Sequence, residues 1–248
     1  MIEKAIILVA GMAIRMGKLT KYKPKCMLEL GNELILERML RILIAEGIKE
    51  FVFVLGFKKD MIKYFVENSF SGYKFTYLEN NDYMNNNNSY SLYVALKNTE
   101  AKPFLLLDGD IVFNEKCIDI LLENGNSDAL LVRREGDMGI EEMKVLIDEN
   151  YCVKSISKEI DPQKAYGESI GIEKFSRNSH FKMLDELTDL IENKKEVNNF
   201  YEVAFQNLIN SNKINLFAFD ISPYKALEID TEEDYSNAIK FMKEWKND

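Results

Sequence analysis

Apolar residues in the first half of the chain alternate between two spacings. Residues 4–10, 51–55 and 104–107 form short, mostly apolar runs of strand length, typical of strands buried on both faces. Between the first two runs, apolar residues at positions 36–44 recur three and four apart, which predicts a helix that ends at Gly47. This alternation predicts βαβ crossovers and a Rossmann-like α/β fold, with a mostly parallel, mixed central sheet flanked by helices.

The second half contains more strand-like segments. No stretch rich in Pro, Gly or Ser divides the 248 residues, so we expect a single domain over 1–248, made of a first half (1–125) and a second half (126–248). The further predicted helices cover 61–66, 89–97, a segment after Asn114, 179–192, 199–210 and a last segment from Thr231, and the further predicted strands cover 73–78, 129–132, 143–147, 153–157, 169–172, 216–219 and 226–229.

Glycines and charged residues stand where the predicted parallel strands end. Gly11 follows the first strand, Gly56 the second, and Asp108-Gly109-Asp110 the third. Ligands of such sheets bind at the carboxyl ends of the strands, so we expect these segments to converge at one edge. The loop after Gly11 is basic although the chain carries a net charge of −9. This contrast favours a small anionic ligand, held by backbone N–H groups and fixed cations, and not a nucleic acid.

Several functional classes are disfavoured by the composition. The three cysteines, Cys26, Cys117 and Cys152, are scattered and odd in number, which argues against a disulfide framework or a zinc site. With His180 as the only histidine, a Ser-His-Asp triad is not expected either. Neither the P-loop spacing nor G-x-G-x-x-G occurs around Gly11. No apolar run has membrane-spanning length and the N-terminus lacks a signal-peptide pattern, so we expect a cytoplasmic protein without membrane insertion.

The segment from Leu8 to Lys25 resembles the signature of the sugar-phosphate nucleotidyltransferase superfamily. That signature is L-A-A-G-x-G-x-R-[LM], a nearby Thr, and then P-K; here the chain reads LVAGMAIRM from Leu8, followed by Thr20 and Pro24-Lys25. Ala13 stands where the family has its second glycine, a position where glycine tolerates backbone geometries that alanine resists. The resemblance implies a transferase with Arg15 and Lys25 as catalytic cations. The residues it suggests for nucleotide binding are Leu8, Ala10, Gly11, Met12, Ala13, Gly56, Asn88, Ser91 and Asp108.

Two acidic positions are candidates for a metal site. Carboxylates directly after a buried strand can hold Mg²⁺, which takes few protein oxygens and completes its shell with phosphate and water. The family resemblance assigns the metal to the second acid of the 108–110 turn, Asp110, and to an aspartate after a short late strand, which Asp230 matches. The alternative for both acids is a helix-capping role.

Two segments in the middle of the chain resemble particular subgroups of this superfamily. Residues 87–92 are similar to the N-N-x-Y-S-L segment of phosphocholine cytidylyltransferases of the LicC type, where it borders the cytosine pocket. Residues 167–172 resemble the G-E-S/Y-I-G-I segment of related enzymes that act on small phosphorylated or phosphonate amines. The alternatives are a helix cap for Asn87 and Asn88 and solvated strand positions for Lys144 and Lys158. The acceptor-binding residues that the resemblance suggests are Lys144, Lys158, Glu168 and Glu202.

The resemblance implies an enzyme that transfers CMP from CTP to a small phosphorylated or phosphonate acceptor and releases pyrophosphate. Phosphocholine, 2-aminoethylphosphonate and a phosphoglutamine-like acceptor all remain open, and the implied cofactor is Mg²⁺. Such an enzyme would serve cell-surface polysaccharide or phosphonate biosynthesis, acting alone or as a homodimer, with the first half binding nucleotide and the second half binding the acceptor. The alternatives are a hexose-1-phosphate uridylyl- or thymidylyltransferase and a non-catalytic regulatory protein that binds nucleotide.

Overall fold

A nine-stranded mixed sheet forms the centre of the computed structural model, which describes residues 2–135 and 138–244. The strands within these residues are β1 (Lys4–Val9), β2 (Glu29–Leu30), β3 (Glu33–Leu34), β4 (Glu50–Leu55), β5 (Lys74–Glu79), β6 (Phe104–Asp108), β7 (Ile111–Phe113), β8 (Ala129–Arg133), β9 (Lys144–Ile147), β10 (Val153–Ser157), β11 (Gly167–Phe175), β12 (Phe217–Asp220) and β13 (Ala226–Glu228). The α-helices are α1 (Ile35–Ala45), α2 (Lys59–Ser69), α3 (Asn88–Lys97), α4 (Lys116–Glu123), α5 (Arg177–Thr188), α6 (Glu202–Asn210) and α7 (Glu232–Glu244).

The central sheet is parallel in its first half and mixed in its second. Its order is β10-β9-β11-β6-β1-β4-β5, and β8 also pairs with β11 while β12 pairs with β8. Strands β5, β4, β1 and β6 run parallel, and β11 lies antiparallel to β6, β8 and β9. The predicted α/β class with a mostly parallel, mixed sheet is therefore confirmed.

Both faces of this sheet are covered by helices, which explains the continuous apolar runs. In β1, Ile7 packs into a core with α1, α2 and α4, whereas its neighbour Ile6 packs into a second core with α3, α5 and α6. Successive strand residues point to opposite faces, so a strand buried on both sides must be apolar throughout. A third, smaller cluster joins α7 to the loop after β1 through Met16, Leu28 and Met242.

Most predicted elements are present, with shifted ends in the second half. The predicted helix over 179–192 begins at Arg177 and ends at Thr188, where a π-helical turn, Asp189–Asn193, continues it. Thr231 caps α7 as expected: its hydroxyl accepts a hydrogen bond from the Asp234 N–H at 3.1 Å, and Asp234 accepts one from the Thr231 N–H at 2.8 Å. Strands β2, β3 and β7 were not predicted. Among the described residues, no helix is both long and apolar enough to cross a membrane.

Candidate active site

A cleft of about 340 Å³ opens at the carboxyl ends of β1 and β6, the edge at which the strand-end residues were expected to meet. Strand β4 ends beside them, since the Phe57 N–H donates to the Ala10 carbonyl at 3.0 Å. The predicted site residues that line the cleft are Leu8, Ala10, Gly11, Ala13, Arg15, Lys25, Asn88, Ser91, Asp108, Asp110 and Asp230.

The loop after β1 turns sharply at Ala13. This alanine has a φ of 49° and a ψ of 50°, in the left-handed region that glycine adopts without strain. The buried hydroxyl of Thr20 donates to the Ala13 carbonyl at 2.9 Å and so stabilises the turn. The loop therefore keeps the backbone shape that a glycine would give, at some cost in strain.

Gly56 and Met12 contribute differently from the other predicted nucleotide-binding residues. Gly56 faces a neighbouring pocket; a Cβ there would lie 2.5 Å from the Ala10 carbonyl oxygen and 2.9 Å from the Tyr83 ring. Its missing side chain thus leaves room for the Tyr83 ring beside the backbone at the end of β4. Met12 is half-buried in the loop and is not one of the cleft-lining residues that the structure describes.

Lys25 forms ion pairs with both predicted metal ligands, Asp110 and Asp230. Its ammonium lies 2.7 Å from Oδ2 of Asp110 and 2.8 Å from Oδ1 of Asp230, and only 11% of its side chain is exposed. Arg15, which is largely exposed, lies 2.5 Å from the other oxygen of Asp230. Burial alone would lower the pKa of Lys25, but the two carboxylates outweigh it and raise that pKa. Burial would likewise raise the pKa of Asp230, yet the charges of Lys25 and Arg15 lower it.

Glu228 completes an acidic group that fits a hard divalent cation. Carboxylate oxygens of Asp110, Glu228 and Asp230 lie within 4.8 Å of one another. Oδ1 of Asp110 is buried and has no hydrogen-bond partner among the residues the structure describes, so it is free to act as a ligand. The Glu228 side chain is exposed on the cleft wall, but the protein around its carboxyl group displaces part of the water that would stabilise its charge. This desolvation, together with the negative charges of Asp110 and Asp230, raises the pKa of Glu228 well above the usual range. Three oxygen donors of this kind suit Mg²⁺.

Asp108 lies deeper than Asp110 and is held by Tyr201. The Tyr201 phenol, which is fully buried, donates to Oδ2 of Asp108 at 2.9 Å. Burial and the negative charges of Asp110 and Glu202 raise the pKa of Asp108 well above its ordinary value. The backbone of Gly171 passes close by, since a Cβ there would lie 2.8 Å from the same oxygen.

A fixed set of amide side chains forms the other wall of the cleft. Asn80 and Asn86 bind each other through two hydrogen bonds, of 2.7 and 3.0 Å, and Asn80 also donates to the Ser91 hydroxyl at 3.1 Å. Oδ1 of Asn88 accepts a hydrogen bond from the Tyr201 N–H at 3.0 Å, which identifies the Asn88 Nδ2 as the atom left to donate. Ser91 retains its own O–H, so this wall offers two hydrogen-bond donors.

The four predicted acceptor-binding residues differ in their partners and in how far they are exposed to the cleft. The Lys158 ammonium lies 4.6 Å from the ring centroid of Phe200, a cleft-lining residue, and 3.6 Å from Glu141. Glu202, on the helix that follows Phe200, is buried, and burial raises its pKa to about 8. These two residues lie on the side of the cleft that faces the second half of the chain.

Lys144 and Glu168 have partners within the protein, and their role in acceptor binding stays a prediction. Lys144 is fully buried, and its ammonium donates to the carbonyls of Gly139 and Glu142, each at 3.0 Å. Glu168 is paired with Arg133 at 2.7 Å on the neighbouring strand. Burial raises the pKa of Glu168, and the Arg133 charge partly opposes that rise. Both side chains stabilise the β8–β9–β11 region, because each buried charge already has a partner.

Sequence reasoning missed Glu228, Asn80 and Phe200, as well as the hydrogen bond from Tyr201 to Asp108. Glu228 lies two residues before Asp230, so alternation along β13 was a signal that could have placed both acids on one face. Tyr201 and Phe200 precede a helix and have no local pattern that distinguishes them from core aromatics. Asn80 follows the edge strand β5, and only its buried hydrogen bonds identify it.

Comparison with known proteins agrees with this architecture. Residues 5–190 match the family model of the MobA-like NTP transferase domain. The chain is 26% identical over 237 residues to a CTP:phosphoglutamine cytidylyltransferase of Campylobacter jejuni, covering 88% of this chain and 92% of that protein. It is 30% identical over 121 residues to a UTP–glucose-1-phosphate uridylyltransferase of Haloferax volcanii, covering 48% of this chain and 47% of that protein. The solved structure of CTP:phosphocholine cytidylyltransferase (LicC) from Streptococcus pneumoniae has the same fold, with a TM-score of 0.77, 19% identity, and coverage of 96% of this chain and 98% of that one.

Proposed function

The chain belongs to the MobA-like NTP transferase domain family of nucleotidyltransferases, and we propose that it transfers CMP from CTP to a small phosphorylated or phosphonate acceptor, releasing pyrophosphate. The observation that carries this proposal is the meeting of Arg15 and Lys25 with three carboxylates at the mouth of a cleft whose opposite wall donates hydrogen bonds. Cytidylyltransferases among the relatives support the choice of nucleotide.

The chemistry of the site fits nucleotidyl transfer because the barrier of that reaction is mainly electrostatic. Two anions must meet in line, and negative charge builds up on the leaving pyrophosphate. Arg15 and Lys25 supply positive charge at the loop that follows β1. A divalent metal held by Asp110, Glu228 and Asp230 would add further positive charge beside the phosphates. No covalent nucleophile is needed, and the loop instead orients the α-phosphate toward the acceptor.

The donor wall favours cytosine over uracil. Asn88 Nδ2 and the Ser91 hydroxyl are both available to donate into the cleft. Cytosine presents two adjacent acceptors, N3 and O2, whereas uracil places an N3–H donor between its two carbonyl groups. Two neighbouring donors therefore match cytosine and would leave uracil with an N–H facing another donor, which is costly in a shielded site.

The acceptor is proposed to bind beside Lys158 and Phe200, which lie against each other at the cleft. A phosphate or phosphonate group would pair with the Lys158 ammonium, which lies beside the cleft and is only about a quarter exposed. The carboxyl groups of the buried Glu202 and the exposed Glu228 lie on this side of the cleft, and their pKa values are raised in the free protein. A bound cation would lower those pKa values and pair with the ionised groups, which suits an acceptor that carries a cationic nitrogen. Choline, ethanolamine-like and amino-acid groups all carry such a positively charged nitrogen.

Pyrophosphate release tests the proposal directly. CTP, UTP, dTTP and ATP are each combined with phosphocholine, 2-aminoethylphosphonate, phosphoglutamine and glucose 1-phosphate in the presence of Mg²⁺. We expect turnover with CTP and an amine-bearing acceptor, lost in Asp110→Asn and retained in Asp161→Asn, a charge-matched change in an exposed loop. Turnover with UTP or dTTP and glucose 1-phosphate would instead identify a hexose-phosphate enzyme. Nucleotide binding without turnover would support the regulatory alternative.

A further inference from the structure

Lys25 lies where a divalent cation would bind. Its ammonium contacts one oxygen of Asp110 and one of Asp230, and these residues supply two of the three carboxylates of the acidic group. The second oxygen of Asp230 is taken by Arg15 at 2.5 Å. The side-chain oxygens that remain are the buried Oδ1 of Asp110 and the carboxylate of Glu228.

The ammonium and a metal compete for the same oxygens. Mg²⁺ and Mn²⁺ require lone pairs of carboxylate oxygens at short distance, and the hydrogen bonds of Lys25 already use them. A divalent ion placed beside a nearly buried ammonium would also meet strong repulsion, since little water lies between the charges. The metal can therefore bind both aspartates fully only when the ammonium has moved away.

Lys25 leaves its two carboxylates at low cost only when another anion replaces them, and without one only a high concentration of metal can displace it. Removing a buried ammonium from its two partners is costly unless new partners replace them. The cleft beside Lys25 is lined by Gly11, Ala13 and Arg15 of the loop after β1, the segment proposed to hold the nucleotide phosphates. A triphosphate bound there would offer the replacement anion within reach of the lysine side chain, and it would bring ligands for the metal as well.

We propose that Lys25 serves as an internal counter-ion that occupies the metal position in the free protein, so that the site takes up the metal–nucleotide complex and binds free metal poorly. This inference rests on the proposed nucleotide function. Binding of the nucleotide draws Lys25 to the phosphates and opens Asp110 and Asp230 to the metal. Because binding couplings are reciprocal, metal must also strengthen nucleotide binding by the same factor.

Manganese titrations without nucleotide test this exchange. Free Mn²⁺ is measured by electron paramagnetic resonance with the wild-type protein, Lys25→Met, Lys25→Arg and Lys18→Met. Methionine keeps a long apolar stem and removes the charge, arginine keeps the charge, and Lys18 is an exposed lysine of the same loop that controls for net charge. We expect Lys25→Met to bind Mn²⁺ alone at least about tenfold more tightly than the wild type, within the usual range of binding couplings. Lys25→Arg and Lys18→Met should bind as the wild type does.

A measurement on the unmodified protein covers the possibility that Lys25→Met does not fold. Acylation of lysines by an N-hydroxysuccinimide ester is followed by mass spectrometry as Mn²⁺ is raised to saturation. Displacement predicts that labelling of Lys25 increases while labelling of Lys18 stays constant. Saturation with Mn²⁺ without a change at Lys25, or equal Mn²⁺ affinity in Lys25→Met and the wild type, would overturn the inference. Neither measurement contains nucleotide, so failure of the CTP turnover assay would leave these results unaffected, and the reverse also holds.

Discussion

The phenol of Tyr201 donates a 2.9 Å hydrogen bond to the carboxylate of Asp108 and so ties the start of helix α6 to the end of strand β6. The backbone N–H of the same tyrosine binds Asn88 at the start of α3. One fully buried residue therefore connects the acceptor side of the cleft to both walls of the proposed nucleotide site. Because Asp108 is crowded by Asp110 and Glu202, this hydrogen bond offsets part of the cost of burying its carboxyl group.

Removal of the Tyr201 hydroxyl should destabilise the fold. We expect Tyr201→Phe to lower the free energy of unfolding by about 1–3 kcal/mol, the cost of leaving a buried polar group without its partner. Tyr77→Phe is the control, because the Tyr77 hydroxyl is buried and has no hydrogen-bond partner among the described residues. That change should be neutral or stabilising. Urea denaturation of both variants provides the measurement, and equal effects would show that the bond to Asp108 contributes nothing.

The turn at Ala13 should accept glycine without loss. Relief of left-handed strain, about 1–2 kcal/mol for an alanine, opposes the greater unfolded-state entropy of glycine, about 0.4–1 kcal/mol. We therefore expect Ala13→Gly to leave stability unchanged or to raise it by about 1 kcal/mol. Ala101→Gly, in a connection where φ is not positive, should destabilise. Thermal denaturation compares the two, and a clear loss of stability in Ala13→Gly would contradict a strained turn.

The parallel half of the sheet could be predicted because its signals are local. Strands β1, β4 and β6 are continuous apolar runs, and their ends are marked by Gly11, Gly56 and the 108–110 turn. A strand covered on both faces has no polar position, so the pattern leaves little choice. The short strands β2, β3 and β7 gave no such signal, since two or three residues are too few to show a period.

The acceptor side could not be predicted because its residues depend on contacts far apart in sequence. Lys144 and Glu168 resemble ligand-binding residues in sequence, yet one is buried against its own loop and the other is paired with Arg133. Nothing in the sequence shows which charge a given lysine or glutamate will meet across a sheet. Asp110, in contrast, directly follows a buried strand, and Lys25 belongs to the family signature that the first residues resemble; both line the cleft.

The Asn88 amide should control the choice of base. Asn88→Asp keeps the oxygen that accepts the Tyr201 N–H but replaces the free donor with an acceptor. We expect the ratio of kcat/KM for CTP over UTP to fall by about tenfold or more, the scale on which a mismatched hydrogen-bonding group is rejected. Asn98→Asp adds the same charge at the far end of α3 and should keep the ratio. An unchanged ratio in Asn88→Asp would remove this residue from base recognition.

Loss of Lys158 should weaken acceptor binding selectively. A hydrogen bond to a charged group contributes about 1.5–3 kcal/mol, so Lys158→Ala should raise the KM of the phosphorylated acceptor by about 10- to 100-fold and change the KM of CTP little. Lys154→Ala serves as the control because Lys154 lies on β10, the strand that Lys158 follows, and pairs with Asp148 at the surface. Steady-state kinetics distinguish the outcomes, and an equal rise in both KM values would place Lys158 at the nucleotide instead.

Glu173 should make the stability of this protein fall as pH rises. Its side chain is fully buried, and its carboxyl oxygens make no well-aligned hydrogen bond with the described residues; the nearby Tyr201 hydroxyl only weakly favours the ionised form. Burial, together with the nearby charges of Asp108 and Glu202, raises the pKa of Glu173 well above its ordinary 4.5. Between the ordinary pKa and the raised one, the unfolded chain has released the proton and the folded protein still holds it. The folded state then binds more protons, so stability decreases with increasing pH, by up to about 1.4 kcal/mol per pH unit.

Glutamine at this position isolates the effect, because it has nearly the same shape and does not titrate. We expect Glu173→Gln to be more stable than the wild type at pH 8 and to lose most of that advantage at pH 5. Glu123→Gln, on the exposed side of α4, should give a difference that does not grow with pH in this way. Unfolding in urea from pH 5 to pH 8 measures the three proteins. Parallel stability curves for the wild type and Glu173→Gln would mean that Glu173 is ionised in the folded protein, and that its buried charge has a partner.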